Sequence, residues 1–186
     1  MEYPKIILYK DMEIPINWDF KAGIEFENLI YDRTIDEQQR LVKILENYFE
    51  ALPKIDDPQL LIEEMLKFYR CGKKLEKTES VDDAPKTQQP YDFIEDWPYI
   101  HAAFLQQYQI DLNIVEDLHW WKFKGMFESL NDDTQFKKIL GFRHVKIDNS
   151  MSKEQKKYYK EMKRIYRLPD KRTQEEIDEE FANSFF

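Results

Sequence analysis

The side chains best suited to chemistry are three histidines set among many carboxylates. His119 lies one helical turn after Glu116, and His101 lies shortly after Asp96. Imidazole and carboxylate groups bind zinc or transfer protons, so His119, Glu116 and Asp96 define a hypothetical metal-dependent hydrolase site. The histidines are, however, far apart in sequence and lack the spacing of a compact zinc motif. We therefore favour a structural role for His119, as the donor of one hydrogen bond from the flank of a helix, and predict no metal.

Motifs for nucleophilic, phosphate and dinucleotide chemistry are absent from the sequence. It contains no Gly-x-Ser-x-Gly motif, and its four glycines are too few for phosphate-binding loops. The single cysteine, Cys71, cannot form an internal disulfide and is predicted to lie near a helix end. Asp92 and Asp96 could form an acid/base pair, but they also suit the capping of a turn and a helix start. The sequence thus predicts a protein that is not an enzyme and uses no cofactor.

Composition and charge restrict the class of protein further. The chain of 186 residues is 42% hydrophobic, 35% charged and 15% aromatic, which is typical of a folded protein. It shows no run of 18 apolar residues and no signal peptide, so we expect a cytoplasmic protein without a membrane partner. The net charge of −9 argues against general binding to nucleic acid, because phosphates would be repelled.

Two adjacent blocks near the C-terminus carry opposite charge. Residues 153–172 contain nine basic and three acidic side chains, and residues 175–180 contain five acidic ones. Such blocks could pair within one chain or between neighbouring copies, which makes self-association one expectation. Tyrosines interleaved with the basic residues could also stack on nucleic acid bases. We favour packing, because Tyr159, Met162 and Tyr166 recur at the spacing of a helix face, and we predict no nucleic acid partner.

The elements that would position these groups are a hairpin and a series of helices. The predicted fold is mainly α, a multi-helix bundle with a short N-terminal β-hairpin over KIILYKDMEIPI, in which Pro15 marks an edge strand. Capping residues, prolines and glycines predict the helix boundaries. These signals are Asn17, a capping box over 34–37, Asp57 with Pro58, Gly72 as a stop, Asp96 with Pro98, Asn113 with Glu116, Asp133 or Thr134, Gly141 as a stop, Ser150 or Ser152, and Thr173 with Glu176 for a final acidic helix.

Helical spacing predicts the inner positions of the first four helices. They are Phe20, Ile24 and Leu29, then Leu41, Leu45, Tyr48 or Phe49 and Leu52, then Leu61, Met65 and Phe68, then Ile100, Phe104 and Tyr108. The polar segment 73–90 contains two prolines and predicts a linker or mobile loop. The chain then divides into 1–72, 91–145 as an aromatic-rich helical core, and 146–186 as basic and acidic helices. We expect 97–143 to form the principal core, and the sequence leaves open whether all segments pack as one domain.

The segment DLHWWKFKGMFESL, residues 117–130, predicts one helix with two apolar faces, because neighbouring residues point about 100° apart. The faces are Trp120 with Phe123, Phe127 and Leu130, and Trp121 with Ile114, Leu118 and Gly125. Glycine inside a helix costs about 1 kcal/mol, so Gly125 predicts a close backbone approach beside Trp121. If both indoles are buried within one monomer, the segment defines the fold and a partner surface lies elsewhere.

Several motifs in order resemble the bacteriophage gene product fifteen family. They are INWDFKAGIEFENLI, YDFIED, IHAAFLQQYQIDL, LHWWKFKGMFESL and FKKILGFR, which span about residues 14 to 168. The resemblance implies a helical tail-assembly chaperone of a long-tailed phage, acting in the host cytoplasm. It implies that the protein binds the tape measure protein, brings in tail-tube subunits and is absent from the finished particle. An acidic surface would suit a basic client of this kind.

The family has no established catalytic residues, so none is carried over. Its hallmark positions fall here on Tyr91, Asp92, Asp96, Phe104, Tyr108, Ile110, Asp111, Leu112, His119, Trp120, Trp121, Phe123, Gly141 and Arg143. The candidates for protein binding are Phe104, Tyr108, Asp111, His119, Trp120, Trp121, Phe123, Phe127 and Arg143. Two alternatives remain open: a structural tail or connector protein retained in the virion, and, less favoured, the metal-dependent hydrolase.

Overall fold

The structure, a computed structural model, describes residues 2–73 and 90–169. Its elements in chain order are β1 (Ile6–Tyr9), β2 (Met12–Pro15), α1 (Phe20–Tyr31), α2 (Glu37–Tyr48), α3 (Pro58–Tyr69), α4 (Trp97–Tyr108), α5 (Trp120–Glu128), α6 (Gln135–His144) and α7 (Lys153–Ile165). The predicted mainly α fold with an N-terminal hairpin is confirmed. Most of the predicted linker and the whole predicted helix near Thr173 lie outside the described residues. No described helix is long and apolar enough to cross a membrane.

The hairpin packs its apolar side on α3. Ile7 pairs with Ile14 and Tyr9 with Met12 in an antiparallel register, and Lys10 adopts a positive φ of 52° in the two-residue turn. Tyr9 is fully buried, and its hydroxyl donates to Asp56 Oδ1 at 2.6 Å. The alternation of apolar and polar residues therefore sets which face of the hairpin meets the helices.

Several helix starts lie where their capping residues predict them. The side chains of Asp57, Thr134 and Ser152 each accept a hydrogen bond from a backbone N–H in the first turn of the helix that follows. Two predicted caps are wrong by two residues. Asp19, rather than Asn17, caps α1, and the capping box of α2 joins Asp36 to Gln39 instead of spanning 34–37. In both cases the helix begins two residues later than predicted, α1 at Phe20 and α2 at Glu37.

Three other expectations are corrected by the structure. Asn113 and Glu116 start no helix, because α5 begins only at Trp120. Gly141 does not end α6, which continues to His144. The predicted inner position Leu41 is 40% exposed, because α2 turns Ile44 and Tyr48 toward α1 and α3.

One continuous apolar cluster joins both sides of the undescribed segment 74–89. Among the described residues, fourteen buried apolar side chains precede residue 73 and twelve follow residue 90, so 97–143 is not the principal core by itself. Helix α1 packs against α2 and α5, and α6 packs against α4 and α7. Helix α5 is therefore the element of residues 90–169 that packs against the helices of residues 2–73.

Candidate functional site

The N-terminal ends of α1 and α5 are joined by a short backbone bridge. Trp120 N–H donates to Trp18 O at 2.8 Å, and Phe20 N–H donates to Leu118 O at 2.9 Å, so Asp19 and His119 face each other as an antiparallel pair. Asp19 also caps α1 by accepting from Lys21 N–H at 2.9 Å. This bridge places the two tryptophans of α5 directly beside α1.

His119 is the N-cap of α5, and both of its ring nitrogens are used. Nδ1 accepts from Trp121 N–H at 3.0 Å, and Nε2 lies 2.8 Å from the carbonyl oxygen of Pro4. Because a carbonyl only accepts, Nε2 must carry the proton and the ring must be neutral. Burial lowers the pKa of His119, and nearby Lys5 lowers it further, against the opposing effect of the Pro4 carbonyl. The hydrogen bond predicted from His119 is present, but His119 makes it from the N-cap position of α5 rather than from the flank of the helix.

Trp120 is fully buried against α1 and α3. Its indole Nε1 donates to Tyr69 O at 2.8 Å, and its ring stacks on Tyr69 with centroids 5.4 Å apart. The same ring lies over Gly23 of α1 so closely that a methyl group there would overlap it. Trp120 also stacks on Phe123, as the first predicted face requires.

Trp121 points to the other side and reaches the same end of α3. Its Nε1 donates to Phe68 O at 2.8 Å, and its ring lies 3.2 Å from the position that a Cβ would take at Gly72. Gly72 has a positive φ of 75°, which glycine adopts without strain. The two neighbouring indoles thus donate to two consecutive carbonyls at the C-terminal end of α3, where no further helical turn follows. The Phe68 carbonyl also accepts from Cys71 N–H at 2.9 Å.

The prediction that Gly125 allows a close backbone approach is wrong. Nothing lies within 4 Å of the position that its Cβ would occupy, whereas Gly23 and Gly72 are the glycines against the indoles. Ile114, assigned to the second face, is 76% exposed, because residues 114–118 precede the helix. Leu118 is buried, as that face predicts.

Arg143 ties three separate segments together. Its guanidinium donates to both carboxylate oxygens of Asp96 at 2.7 Å, to Tyr166 O at 2.7 Å and to Pro90 O at 3.1 Å. The Asp96 side chain is only 1% exposed, so this pair is well shielded from water. Asp96 therefore precedes α4 without capping it, and its carboxylate instead holds α6 and the backbone N–H of Asp92. Asp92 caps the turn before α4, as predicted, by accepting from Ile94 and Glu95 N–H.

The other residues predicted to bind a partner also make contacts within the chain. Phe104 and Phe123 are fully buried and stack with centroids 5.1 Å apart, and Phe127 is 6% exposed. Tyr108 donates to Met126 O at 2.9 Å, which ties α4 to α5. Asp111 lies 2.8 Å from His101 Nε2 and thereby holds the loop after α4. The structure thus brings the candidate residues together as a core and its supports.

The chemistry available to these groups is limited. Asp96 is engaged by Arg143, His119 is used at both nitrogens, and Glu116 is exposed. Among residues 2–73 and 90–169, no group of three His, Cys, Asp or Glu side chains could hold a metal ion. Burial raises the pKa of the Cys71 thiol to about 11, which keeps it protonated near neutral pH.

Sequence reasoning missed three residues that shape this centre: Asp19, Gly23 and Glu27. Gly23 interrupts a predicted helix, and that interruption was a usable signal of close packing. Glu27 is 3% exposed and accepts from the Tyr69 hydroxyl at 2.5 Å. A buried glutamate inside a helix has no local signature, because its partner lies on another element.

Tyr3 is partly exposed and stacks on His119, whereas four other exposed apolar side chains come from α1 and α2. Ile30, Tyr31, Leu41 and Val42 are each more than a third exposed, and we call them the α1–α2 patch. Ile30 and Tyr31 end α1, and Leu41 and Val42 lie in the second turn of α2. Arg40 joins the two helices by donating to Leu29 O and Asp32 O. Exposed apolar groups gathered in one region are typical of binding surfaces.

Comparison with known proteins gives a match to a family. The family described as Bacteriophage Gp15 protein matches residues 2–168, which include every described element. No curated protein and no solved structure matches the chain significantly. The matched range contains the Asp19–His119 bridge, both indoles of α5 and the Asp96–Arg143 pair. The chain therefore belongs to the bacteriophage Gp15 protein family.

Proposed function

We propose that the protein is a non-catalytic tail-assembly chaperone that binds the tape measure protein and helps to recruit tail-tube subunits in the host cytoplasm. The family match over residues 2–168 carries the proposal, since it supports a phage protein of structure or morphogenesis. The chaperone role and its two partners are inferred from the resemblance of the ordered motifs.

The distribution of side chains favours a client surface outside the tryptophan core. Trp120 and Trp121 are both engaged within the monomer, so neither indole is available as the main anchor for a partner. The α1–α2 patch is the better candidate, because its four apolar side chains are exposed to solvent. An amphipathic helix of the tape measure protein could lay its apolar face on such a surface.

Charge supports the same choice of client. The protein carries a net charge of −9, and the start of α2, one helical turn before Leu41, carries Glu37 and its N-cap Asp36. Acidic groups around an apolar surface favour a client whose polar face is basic. They also make copies of the protein that carry a client repel one another.

Co-expression with the tape measure protein encoded nearby tests the proposal. We expect a complex in a pull-down and more tape measure protein in the soluble fraction than without the chaperone. Absence of both effects would overturn the chaperone role. Mass spectrometry of purified particles separates the retained structural protein from the chaperone, because only the structural protein would be present in stoichiometric amount.

A further inference from the structure

Helix α7 has one face on the protein and another that is strongly cationic. Tyr159, Met162 and Tyr166 are half-buried, and Tyr166 stacks on Phe142 of α6 with centroids 5.8 Å apart. Lys163 donates to Arg143 O at 2.6 Å. These contacts confirm the predicted packing face of α7 and fix which side of the helix meets water.

The opposite side carries Lys153, Lys157, Lys160 and Arg164, which we call the α7 basic stripe. All four are exposed and recur at i, i+4, i+7 and i+11, the spacing of one helix face. Arg164 pairs with Glu161, whereas Lys153 and Lys160 form no ion pair with any of the described residues. Like charges at this spacing repel one another by about 0.2 to 0.5 kcal/mol per pair, so the stripe favours an acidic partner.

We propose that the α7 basic stripe binds the acidic segment 175–180 of the same chain. That segment brings five carboxylates, from Glu175, Glu176, Asp178, Glu179 and Glu180. The face offers them three lysines without an ion pair among the described residues, beside an arginine that already pairs with Glu161. The complementary charges identify the partner, and the position of the segment in the sequence makes the contact reachable. The contact is independent of the proposed chaperone function.

The length of the connection allows binding within one chain. The six residues from Pro169 to Glu175 can span at most about 20 Å. The 13 residues of α7 are also about 20 Å long, so the acidic segment can reach any part of the stripe. Such a short connection gives an effective concentration on the order of millimolar, well above that of a second copy in solution.

The contact has a consequence for binding of other molecules. An uncovered row of three lysines that lack an ion pair among the described residues would attract nucleic acid and acidic proteins. With segment 175–180 on the stripe, these competitors must first displace a tethered anionic segment. The acidic segment therefore competes with nucleic acid and acidic proteins for the α7 basic stripe and covers no other surface.

Zero-length carbodiimide crosslinking of the full chain tests the contact directly, because it joins carboxylates to amines that touch. We expect crosslinks between segment 175–180 and lysines 153–160, and their loss in about 1 M salt, where the screening length falls to about 3 Å. A mixture of unlabelled and nitrogen-15-labelled protein shows which copy supplies each peptide. Crosslinks within one isotope support the proposal, whereas mixed-isotope crosslinks or none would overturn it.

Binding to heparin gives a second readout with a matched control. The variant E175Q/E176Q/E179Q/E180Q should elute from a heparin column at higher salt than the wild type, because its stripe is uncovered. The control E25Q/E37Q/E46Q/E50Q removes the same charge from exposed sites on α1, α2 and the turn after α2. Equal elution of the two variants would show that net charge alone matters, and would contradict the proposal.

Discussion

Asp19 and His119 pair across an antiparallel bridge, and each is the N-cap of its own helix. The positive ends of the α1 and α5 dipoles therefore lie side by side. Asp19 places a negative charge beside these helix ends. His119 places a neutral ring there, and its Nδ1 accepts a hydrogen bond. Protonation of Nδ1 would remove the cap of α5 and add a positive charge where two helices begin.

We expect His119 to make the protein less stable as the pH falls below about 6.5, the ordinary histidine value. Its folded-state pKa is lowered, so the unfolded chain binds the proton more tightly, and stability is lost from that value down toward the folded pKa. His119→Asn keeps a capping acceptor without titrating, so its free energy of unfolding should depend less on pH between about 5 and 6.5. Urea unfolding across this range measures the difference.

The matched control for this prediction is His144→Asn, because His144 is exposed at the end of α6. Comparison of the two variants separates removal of the α5 cap from removal of a histidine elsewhere on the surface. If His119→Asn retains the full pH dependence, the cap is not the group that titrates.

Gly23→Ala should destabilise the fold by about 1 to 3 kcal/mol, the usual range for overpacking a core. The added methyl group would overlap the buried ring of Trp120. Gly125→Ala is the control and should have the opposite sign, since its Cβ meets nothing and alanine favours a helix by about 0.5 to 1 kcal/mol. Urea unfolding of both variants checks the signs, and a neutral Gly23→Ala would show that α1 and α5 can separate freely.

Asp96→Asn should cost about 3 to 5 kcal/mol, as expected when one partner of a buried ion pair is removed. The Arg143 guanidinium would keep its charge but lose its only described carboxylate partner. Glu161→Gln breaks the exposed pair with Arg164 and should leave the unfolding midpoint nearly unchanged. Similar effects of the two changes would argue that water already screens Asp96.

Leu41→Ser with Val42→Ser should abolish capture of the tape measure protein while changing the free energy of unfolding by at most about 0.5 kcal/mol per site. Both side chains are exposed, so the client and not the core should lose the contact. Leu105→Ser with Ile114→Ser removes exposed apolar groups outside the α1–α2 patch and should leave capture intact. Equal loss in both variants would place the client surface elsewhere.

The sequence predicts elements better than it predicts the contacts between them. The hairpin and the starts of α3, α6 and α7 follow from local signals, because alternation and capping act within a few residues. The start of α5 does not, since its cap is a histidine held by Pro4 from the other end of the chain. Leu41 matched helical spacing and is exposed, because which turn of α2 meets the core depends on α1 and α3.

The candidate site shows the same limit. Its aromatic residues were found, because tryptophans on neighbouring positions are a strong local signal. Their partners were not, since Gly23 and the carbonyls of Phe68 and Tyr69 come from other helices. Gly125 attracted the prediction of close packing because it lies one helical turn after Trp121 and because glycine is costly inside a helix.

The order in which a ribosome makes the chain gives the contact between Trp120 and α3 a further meaning. Residues 20–69 emerge first, with the groove over Gly23 still empty and the carbonyl of Tyr69 without its indole donor. At about 5 to 20 residues per second, translation from Tyr69 to Trp120 takes several seconds. During that interval the N-terminal helices expose to water the apolar surface that Trp120 later covers.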